Sequence, residues 1–181
     1  MQKLRVLTEN YAEVKSAPLG HFDLCVLASV DGDYTDAVCE RIDHEPTEAD
    51  KVSLIARWTE RRKQEVALAI ADYDRSAAVN SFLLNGAPAW LDKATRVGLV
   101  NSLTIEKEAG HETTKLYLNS TALVIPVDTA LSIMSQLELY AIDCYRVTEA
   151  NKAAIAALTS IEDVENYDYK ANYPERPSFT V

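Results

Sequence analysis

The chain has 181 residues, of which 48% are hydrophobic and 25% charged, and this composition is typical of a folded domain rather than a disordered or fibrous protein. Its formal net charge of −10 argues against nucleic acid as a partner, because phosphate binding needs a concentrated positive surface. No apolar run approaches the roughly 20 residues of a membrane span, and the first residues lack the apolar core of a secretory signal, so we expect no membrane partner.

The first 44 residues have the alternating pattern of short strands. Residues 3–8 alternate in hydrophobicity, and residues 22–42 contain two apolar stretches separated by "DGD" at 31–33, which is a strong turn signal. We interpret 22–42 as a hairpin that the first strand extends into a small antiparallel sheet. Residues 1–44 are therefore predicted to be a β-rich docking segment.

The three cysteines do not describe a disulfide framework, because their number is odd and their spacing is unpaired. Cys25 and Cys39 lie where they would meet across the hairpin, but reduced core thiols are the favoured interpretation for them and for Cys144. We therefore expect synthesis and residence in a reducing cytoplasm.

A long amphipathic helix is predicted for residues 45–74. Thr47 is placed to cap its N-terminus, with acidic residues in the first turn, and apolar residues recur every three or four positions along one stripe. The basic run at 61–63 falls largely on the other face. We interpret that run as a solvated face rather than a docking patch.

A hairpin followed by a helix is predicted for residues 81–110. The dipeptide Asn85-Gly86 favours positive φ at both central positions of a two-residue turn. Pro88 lacks an amide donor and therefore places the second strand at a sheet edge. Asp92 is the predicted N-cap of the helix, and Gly110 is its predicted stop.

The same order returns at residues 113–158, where Asp128 is predicted to cap the longest apolar helix of the chain. That helix either forms the spine of the core, which we favour, or pairs with a copy of itself. Ser160 then caps a short helix. Pairing the two hairpins would give a four-stranded antiparallel sheet covered by helices, so 75–168 is predicted to be one hairpin-helix domain and the chain an α+β protein.

Residues 169–181 form an extended, proline-marked tail. Aromatic residues are dense around it, and they are candidates for an interface with carbohydrate or protein, unless the tail packs back onto the domain. The last residues are also candidates for a terminal strand, which in principle extends to a neighbouring chain. The candidate interface residues are Tyr167, Tyr169, Tyr173 and Phe179.

Reactive or ligand-binding motifs are missing from the sequence. It contains no His-x-x-x-His, Cys-x-x-Cys, glycine-rich phosphate loop or Gly-x-Ser-x-Gly. A metal site that joins residues 21–23 to 43–45 through space is an alternative that we disfavour. We therefore predict no catalytic, cofactor-binding or metal-binding residues.

A resemblance to a known family covers about half of the chain. Asn85, Gly86, Trp90, Asp92 and Arg96 stand in the order of a hairpin turn, an aromatic residue, a helix cap and an arginine, and the segment 152–168 follows a long helix. This pattern resembles a domain family of unknown function that is common in tailed phages and prophages, often encoded beside tail-fibre and baseplate genes. The sequence is also similar to small proteins from phage-like regions of gut Bacteroidetes.

The resemblance implies a phage virion protein without enzymatic activity, in or near the tail, baseplate or tail fibres. Its partners would be other phage structural proteins or copies of itself in a larger assembly or homo-oligomer, and it would be made in the host cytoplasm. The family supplies no catalytic residues and no cofactor. Three alternatives remain: a tail-fibre assembly chaperone, a glycan-binding or glycan-degrading protein, and a ligand-binding protein encoded by the host.

Overall fold

A computed structural model of the chain describes residues 1–7, 24–31, 33–118 and 121–181. Within these residues the predicted α+β class is confirmed, with small sheets and four helices. The predictions made for residues 8, 21–23 and 32, which include a histidine of the disfavoured metal site and the centre of the first turn, lie outside this part of the chain.

The described residues divide into two compact units. One comprises Met1–Ala69 with Lys152–Tyr169, and the other comprises Ile70–Asn151 with Lys170–Val181. This division differs from the predicted boundaries after residues 44, 74 and 168. It falls inside both long helices, between Ala69 and Ile70 and between Asn151 and Lys152.

The first unit is built on a three-stranded antiparallel sheet. Its strands are β1 (Gln2–Leu7), β2 (Leu24–Asp31) and β3 (Tyr34–Glu40), in the order β1-β3-β2. The predicted hairpin and its extension by the first strand are thus confirmed. Val38 on the central strand is fully buried.

Cys39 on the central strand corrects the expectation of reduced thiols. It is disulfide-bonded, whereas Cys144 is free and buried. The backbone position opposite Cys39 in the β2–β3 register is Cys25. The sequence placed these two cysteines on the two strands of one hairpin but did not fix the register of the strands, which decides whether they face each other. The expectation of a reducing compartment was based on reduced cysteines, and the disulfide at Cys39 removes that basis.

Helix α1 (Glu48–Arg75) closes the first unit over the sheet. Its N-cap is Thr47, as predicted: the Asp50 N–H donates to Thr47 Oγ1 at 3.3 Å, and Asp50 Oδ2 accepts from the Thr47 backbone N–H at 2.9 Å, so the two residues form a capping box. Leu54 and Trp58 on the helix pack with Val38.

Two arginines of α1 hold neighbouring elements through paired hydrogen bonds. Arg57 contacts both carboxylate oxygens of Glu40 on β3. Arg62 contacts both oxygens of Glu165, at 2.8 and 3.1 Å. Glu165 lies on the predicted short helix, which is observed at Ile161–Glu165. Its N-cap is Ser160, as predicted. The basic run at 61–63 therefore contributes to folding within this unit.

The second unit begins with the hairpin of β4 (Phe82–Leu84) and β5 (Ala87–Ala89). Asn85 and Gly86 have φ of 50° and 80°, as a two-residue turn with positive φ at both centres requires. Helix α2 (Lys93–Glu108) follows, and Asp92 caps it by accepting from the Thr95 N–H at 2.9 Å. Both predictions are confirmed.

Gly110 ends α2 as predicted, with φ of 81°. Its N–H donates to Lys107 O at 3.0 Å, and the N–H of His111 donates to Glu106 O at 2.9 Å. These two bonds are the pair that defines a Schellman motif. The stop is therefore set by local backbone geometry that favours glycine.

The second hairpin consists of β6 (Thr113–Leu118) and β7 (Thr121–Pro126), and it forms a separate two-stranded sheet. The predicted four-stranded sheet is thus wrong. One edge of β4 is taken by β5, and the other is taken by β8 (Ser178–Phe179) from the tail, which runs parallel to it. Pro88 on β5 has no N–H to offer to a further strand.

Helix α3 (Val127–Ala157) is the spine of the second core, as favoured from its pattern. It begins at Val127, so Asp128 lies in the first turn and is not the N-cap that we predicted. Its carboxylate contacts Lys107 Nζ at 2.7 Å. The core around the helix contains the buried residues Phe82, Leu91, Leu103, Leu116, Ile125, Met134, Leu137 and Phe179. We label the short helix Ile161–Glu165 α4. None of the helices within the described residues has an apolar stretch that would cross a bilayer.

Candidate binding site

The segment between β5 and α2 places two side chains with different roles on one short stretch. Leu91 turns into the core, whereas the preceding Trp90 remains 48% exposed. Asp92, immediately after them, is held by Thr95 and therefore fixes where the segment ends and the helix begins. An exposed indole is thus presented from a backbone that is anchored on both sides.

Arg96, one turn into α2, is a buried charge with partners inside the second unit. The residue is only 8% exposed. Its guanidinium donates to Leu91 O at 2.8 Å and contacts Glu138 Oε2 on α3 at 3.2 Å. A buried arginine needs such partners, because desolvating an unpaired charge is costly. Arg96 therefore ties the Trp90 segment to α3.

A cavity of about 120 Å³ lies beside these residues. Its apolar wall includes Phe82, Leu91 and Leu137, which belong to the core. Trp90 and Tyr145, which are 48% and 63% exposed, also line it. Polar groups complete the lining: Asp74, Asn80, Ser81, Arg96 and Tyr140. Concave sites with an apolar wall and a few polar groups are the usual form of binding sites in proteins.

A second, open groove of about 440 Å³ shares Asn80, Ser81 and Trp90 with the cavity. Arg75, at the end of α1, is the only charged residue in its lining, and its side chain is 77% exposed. We call the cavity and this groove together the Trp90 site. The site combines a depression that fits one side chain with a longer surface beside it.

The polar groups at the base of the cavity are bonded within the unit. Tyr140 donates its hydroxyl proton to Val79 O at 2.8 Å, and burial raises the pKa of that hydroxyl. Ser81 donates to Ala77 O at 2.6 Å. Burial also raises the pKa of the Cys144 thiol, so this cysteine is protonated at neutral pH and is a poor nucleophile.

The tail packs back onto the second unit, which was one of the two alternatives for its aromatic residues. The Phe179 ring is buried and meets Phe82 edge to face, with ring centres 5.9 Å apart. Tyr173 meets Tyr73 in the same way at 5.3 Å. Tyr167 and Tyr169 are also partly buried, in the first unit. The prediction that these residues form an interface stays a prediction.

A chain of hydroxyl groups holds Tyr173 in place. Thr148 on α3 donates to Asp74 Oδ1 at 2.7 Å, and its oxygen lies 2.7 Å from the Tyr173 hydroxyl. Since the single hydroxyl proton of Thr148 goes to Asp74, the Tyr173 hydroxyl is the donor in the second bond. Burial raises the pKa of Tyr173.

His44 belongs to a polar cluster of the first unit. Its two ring nitrogens lie 3.0 Å from Asp43 Oδ1 and 3.0 Å from Asp50 Oδ2. These hydrogen bonds, first the one to Asp43, raise the pKa of His44. The pKa of Asp50 is lowered to about 2, chiefly by the hydroxyl and backbone N–H of Thr47. The cluster thus serves the N-terminus of α1.

Within the part of the chain that the structure describes, no group of three or more His, Cys, Asp or Glu side chains is arranged to hold a metal ion. His44, from the disfavoured metal site, is engaged by the helix cap instead. The predicted turn and cap residues all serve local backbone geometry, apart from the displaced Asp128.

Comparisons with protein-family models, curated proteins and solved structures found no match for this chain. The resemblance to a phage domain family therefore stays a prediction.

The sequence analysis did not identify the Trp90 site as a site. Trp90 and Arg96 were noted only as members of a spacing pattern, and Tyr145 was not singled out. Their convergence depends on contacts between residues that are distant in sequence. The one available signal was that Trp90 lies between the predicted edge strand, which Pro88 indicated, and the predicted cap residue Asp92.

Proposed function

We propose that this protein is a non-enzymatic structural component of a phage virion, in the tail or baseplate or associated with the tail fibres, and that it acts through protein–protein contacts. Its partners are other phage structural proteins or copies of itself. The proposal is supported by the resemblance of residues 75–168 to a phage domain family and by the character of the exposed groups. No other line of comparison bears on it.

The observation that carries the proposal is the exposure of Trp90 and Tyr145 around one cavity. The other residues in the resemblance have structural tasks: Asn85 and Gly86 make a turn, and Asp92 caps a helix. Trp90, by contrast, neither forms a turn nor caps a helix, and about half of its surface is exposed to solvent. Tryptophan and tyrosine are enriched at the centres of protein interfaces, because they bury a large area at little entropic cost.

Mass spectrometry of purified virions tests this proposal. Peptides of this chain should be present in intact particles, and after particles are dissociated they should follow the tail fraction and not the capsid fraction. Peptides of the major capsid protein are the control for that separation. Absence of the chain from particles contradicts the proposal.

The chaperone alternative gives a different outcome in the same infection. A fibre-assembly chaperone would be missing from mature particles but would co-purify with fibre protein from infected cells. A glycan-degrading protein would release reducing sugars from host capsule, which a structural component would not do. The chaperone and the glycan-degrading protein are therefore each distinguished by a positive result of their own.

A further inference from the structure

The two parts of the Trp90 site suggest a specific kind of occupant. We propose that the site binds an extended peptide segment of a partner protein, with an apolar aromatic side chain in the cavity and a neighbouring carboxylate on Arg75. This inference rests on the proposed function only in taking the partner to be a protein. Trp90, Asn80 and Ser81 line both the cavity and the groove, so one peptide that crosses them would reach both parts of the site.

The size of the cavity selects a single small ring or a comparable aliphatic group. An apolar cavity of about 150 Å³ in another protein holds benzene, and the cavity here has about 120 Å³ with an opening to the surface. Phe82, Leu91 and Leu137 supply its apolar wall. A phenyl group that entered beside the exposed Trp90 and Tyr145 would also gain edge-to-face or offset ring contacts.

The bonding of the polar groups favours an apolar occupant over a sugar. Tyr140, Ser81 and Arg96 already donate to the backbone oxygens of Val79, Ala77 and Leu91. A ring that carries several hydroxyl groups would lose its water on entry and find few free partners, which costs free energy. A phenyl group carries no such penalty.

The positive charge of Arg75 favours an acidic residue next to the aromatic residue of the bound peptide. Arg75 is the only charged residue that lines the open groove, and it stands on a chain with a net charge of −10. Its contact with Asp72 is a long, exposed ion pair of 3.5 Å. Such pairs contribute little, so a carboxylate of a partner can take the place of Asp72. The charges of the cavity itself, Arg96 and Asp74, are engaged by Glu138 and Thr148.

Side chains, rather than backbone pairing, must provide the specificity. Peptides often bind by adding a strand to an exposed sheet edge. The neighbouring edge strand β5 has only three residues, and its central residue Pro88 has no N–H to donate. A bound segment would therefore lie across Trp90 and would not extend the sheet.

NMR titration of the full chain with N-acetyl-phenylalanyl-aspartyl amide tests the proposal. The chain has two tryptophans, so the indole N–H signal of Trp90 reports on the site while that of Trp58, 5% exposed in the other unit, serves as an internal reference. We expect a saturable shift of the Trp90 signal, with a dissociation constant on the order of 1 mM for so small a probe, and no shift for Trp58. The alanyl-aspartyl and phenylalanyl-lysyl analogues should bind at least several-fold more weakly.

Two variants and a matched control locate the binding. Ala141→Leu fills part of the cavity from α3 without removing any polar group, and it should abolish the shift. Arg75→Glu should weaken binding by roughly two- to fivefold, as expected for one exposed charge contact. Arg146→Glu, an equally exposed arginine paired with the aspartate three residues before it, should have no effect.

The proposal is overturned if the Trp90 signal does not respond, if it responds equally to the alanyl analogue, or if Ala141→Leu leaves binding unchanged. A response to N-acetylglucosamine in place of the peptide also overturns it and supports a glycan site. These results are independent of the virion experiment, because a protein absent from particles can still bind the peptide, and a virion protein can fail to bind it.

Discussion

The Tyr173 hydroxyl lies 2.7 Å from Thr148 Oγ1 and thereby ties the C-terminal tail to the longest helix of the chain. Thr148 in turn donates to Asp74, at the end of α1. Three segments distant in sequence thus meet through two hydroxyl groups within the second unit. The tail continues to β8, where Leu83 N and Asn85 N donate to Pro177 O and Phe179 O, both at 2.8 Å.

Tyr173→Phe tests the hydroxyl chain. The variant keeps the ring contact with Tyr73 but removes the donor to Thr148, so we expect a loss of about 1 kcal/mol in the free energy of unfolding. Chemical denaturation measures the change. Tyr117→Phe is the matched control, since that ring is 67% exposed on β6 and its loss of a hydroxyl should have an effect within about 0.5 kcal/mol. Equal effects of the two substitutions would show that the hydrogen bond from Tyr173 to Thr148 does not contribute to the stability of the fold.

Two glycines of the second unit should respond to alanine with opposite signs. Gly110→Ala places a Cβ at φ of 81° and should destabilise the protein by about 1 kcal/mol. Gly98→Ala lies inside α2, where a Cβ would meet open space, and should stabilise it by roughly 0.5–1 kcal/mol through helix propensity. The free energy of unfolding, measured by urea titration, decides both. A loss of stability at Gly98 would mean that the helix needs a close approach there, which its open surroundings contradict.

The helix cap at His44 should make the first unit sensitive to pH. Hydrogen bonds to Asp43 and Asp50 raise the folded pKa of His44, so its contribution to stability is complete below the unfolded pKa and is lost as pH rises through the folded pKa. Asp50 acts in the opposite sense. Its folded pKa of about 2 is below its ordinary value of 3.8, so its contribution is present above that value and is lost as pH falls toward 2.

An NMR titration of the His44 ring measures the first effect directly. Asp50→Asn removes one of the two carboxylate partners and should lower the pKa of His44 toward its ordinary value. Glu48→Gln is the control, because Glu48 also lies in the first turn of α1 but contacts Lys51 instead. If Asp50→Asn leaves the His44 titration where it was, the cap does not hold the ring.

Thiol counting tests the oxidation state of the chain. Of three cysteines, Cys144 is free and Cys39 is disulfide-bonded, so protein unfolded without reductant should show one reactive thiol and, after reduction, three. In the folded protein Cys144 should react slowly with a thiol reagent, because it is buried and its pKa is raised. Three reactive thiols in unreduced protein would contradict the disulfide and support the interpretation that all three cysteines are reduced.

Local chemistry determined the turns and most helix ends without knowledge of the fold. Asn85-Gly86, the caps Thr47, Asp92 and Ser160, and the stop at Gly110 were all identified from the sequence. Each of these features is satisfied by bonds within about five residues. A side chain and a backbone N–H three positions apart meet whenever the helix forms, so no distant partner is needed.

The tertiary structure alone decided that the tail strand pairs with the first hairpin of the second unit and that an exposed ring borders a cavity. β8 joins β4 across 95 residues, from Leu83 to Ser178, and so leaves the two hairpins in separate sheets. The cavity lined by Trp90, Arg96 and Tyr145 likewise brings together positions far apart in the chain. Such contacts depend on strand register and on which of several strands occupies a sheet edge. A hydrophobic pattern that repeats every two or four residues specifies neither the register nor the partner.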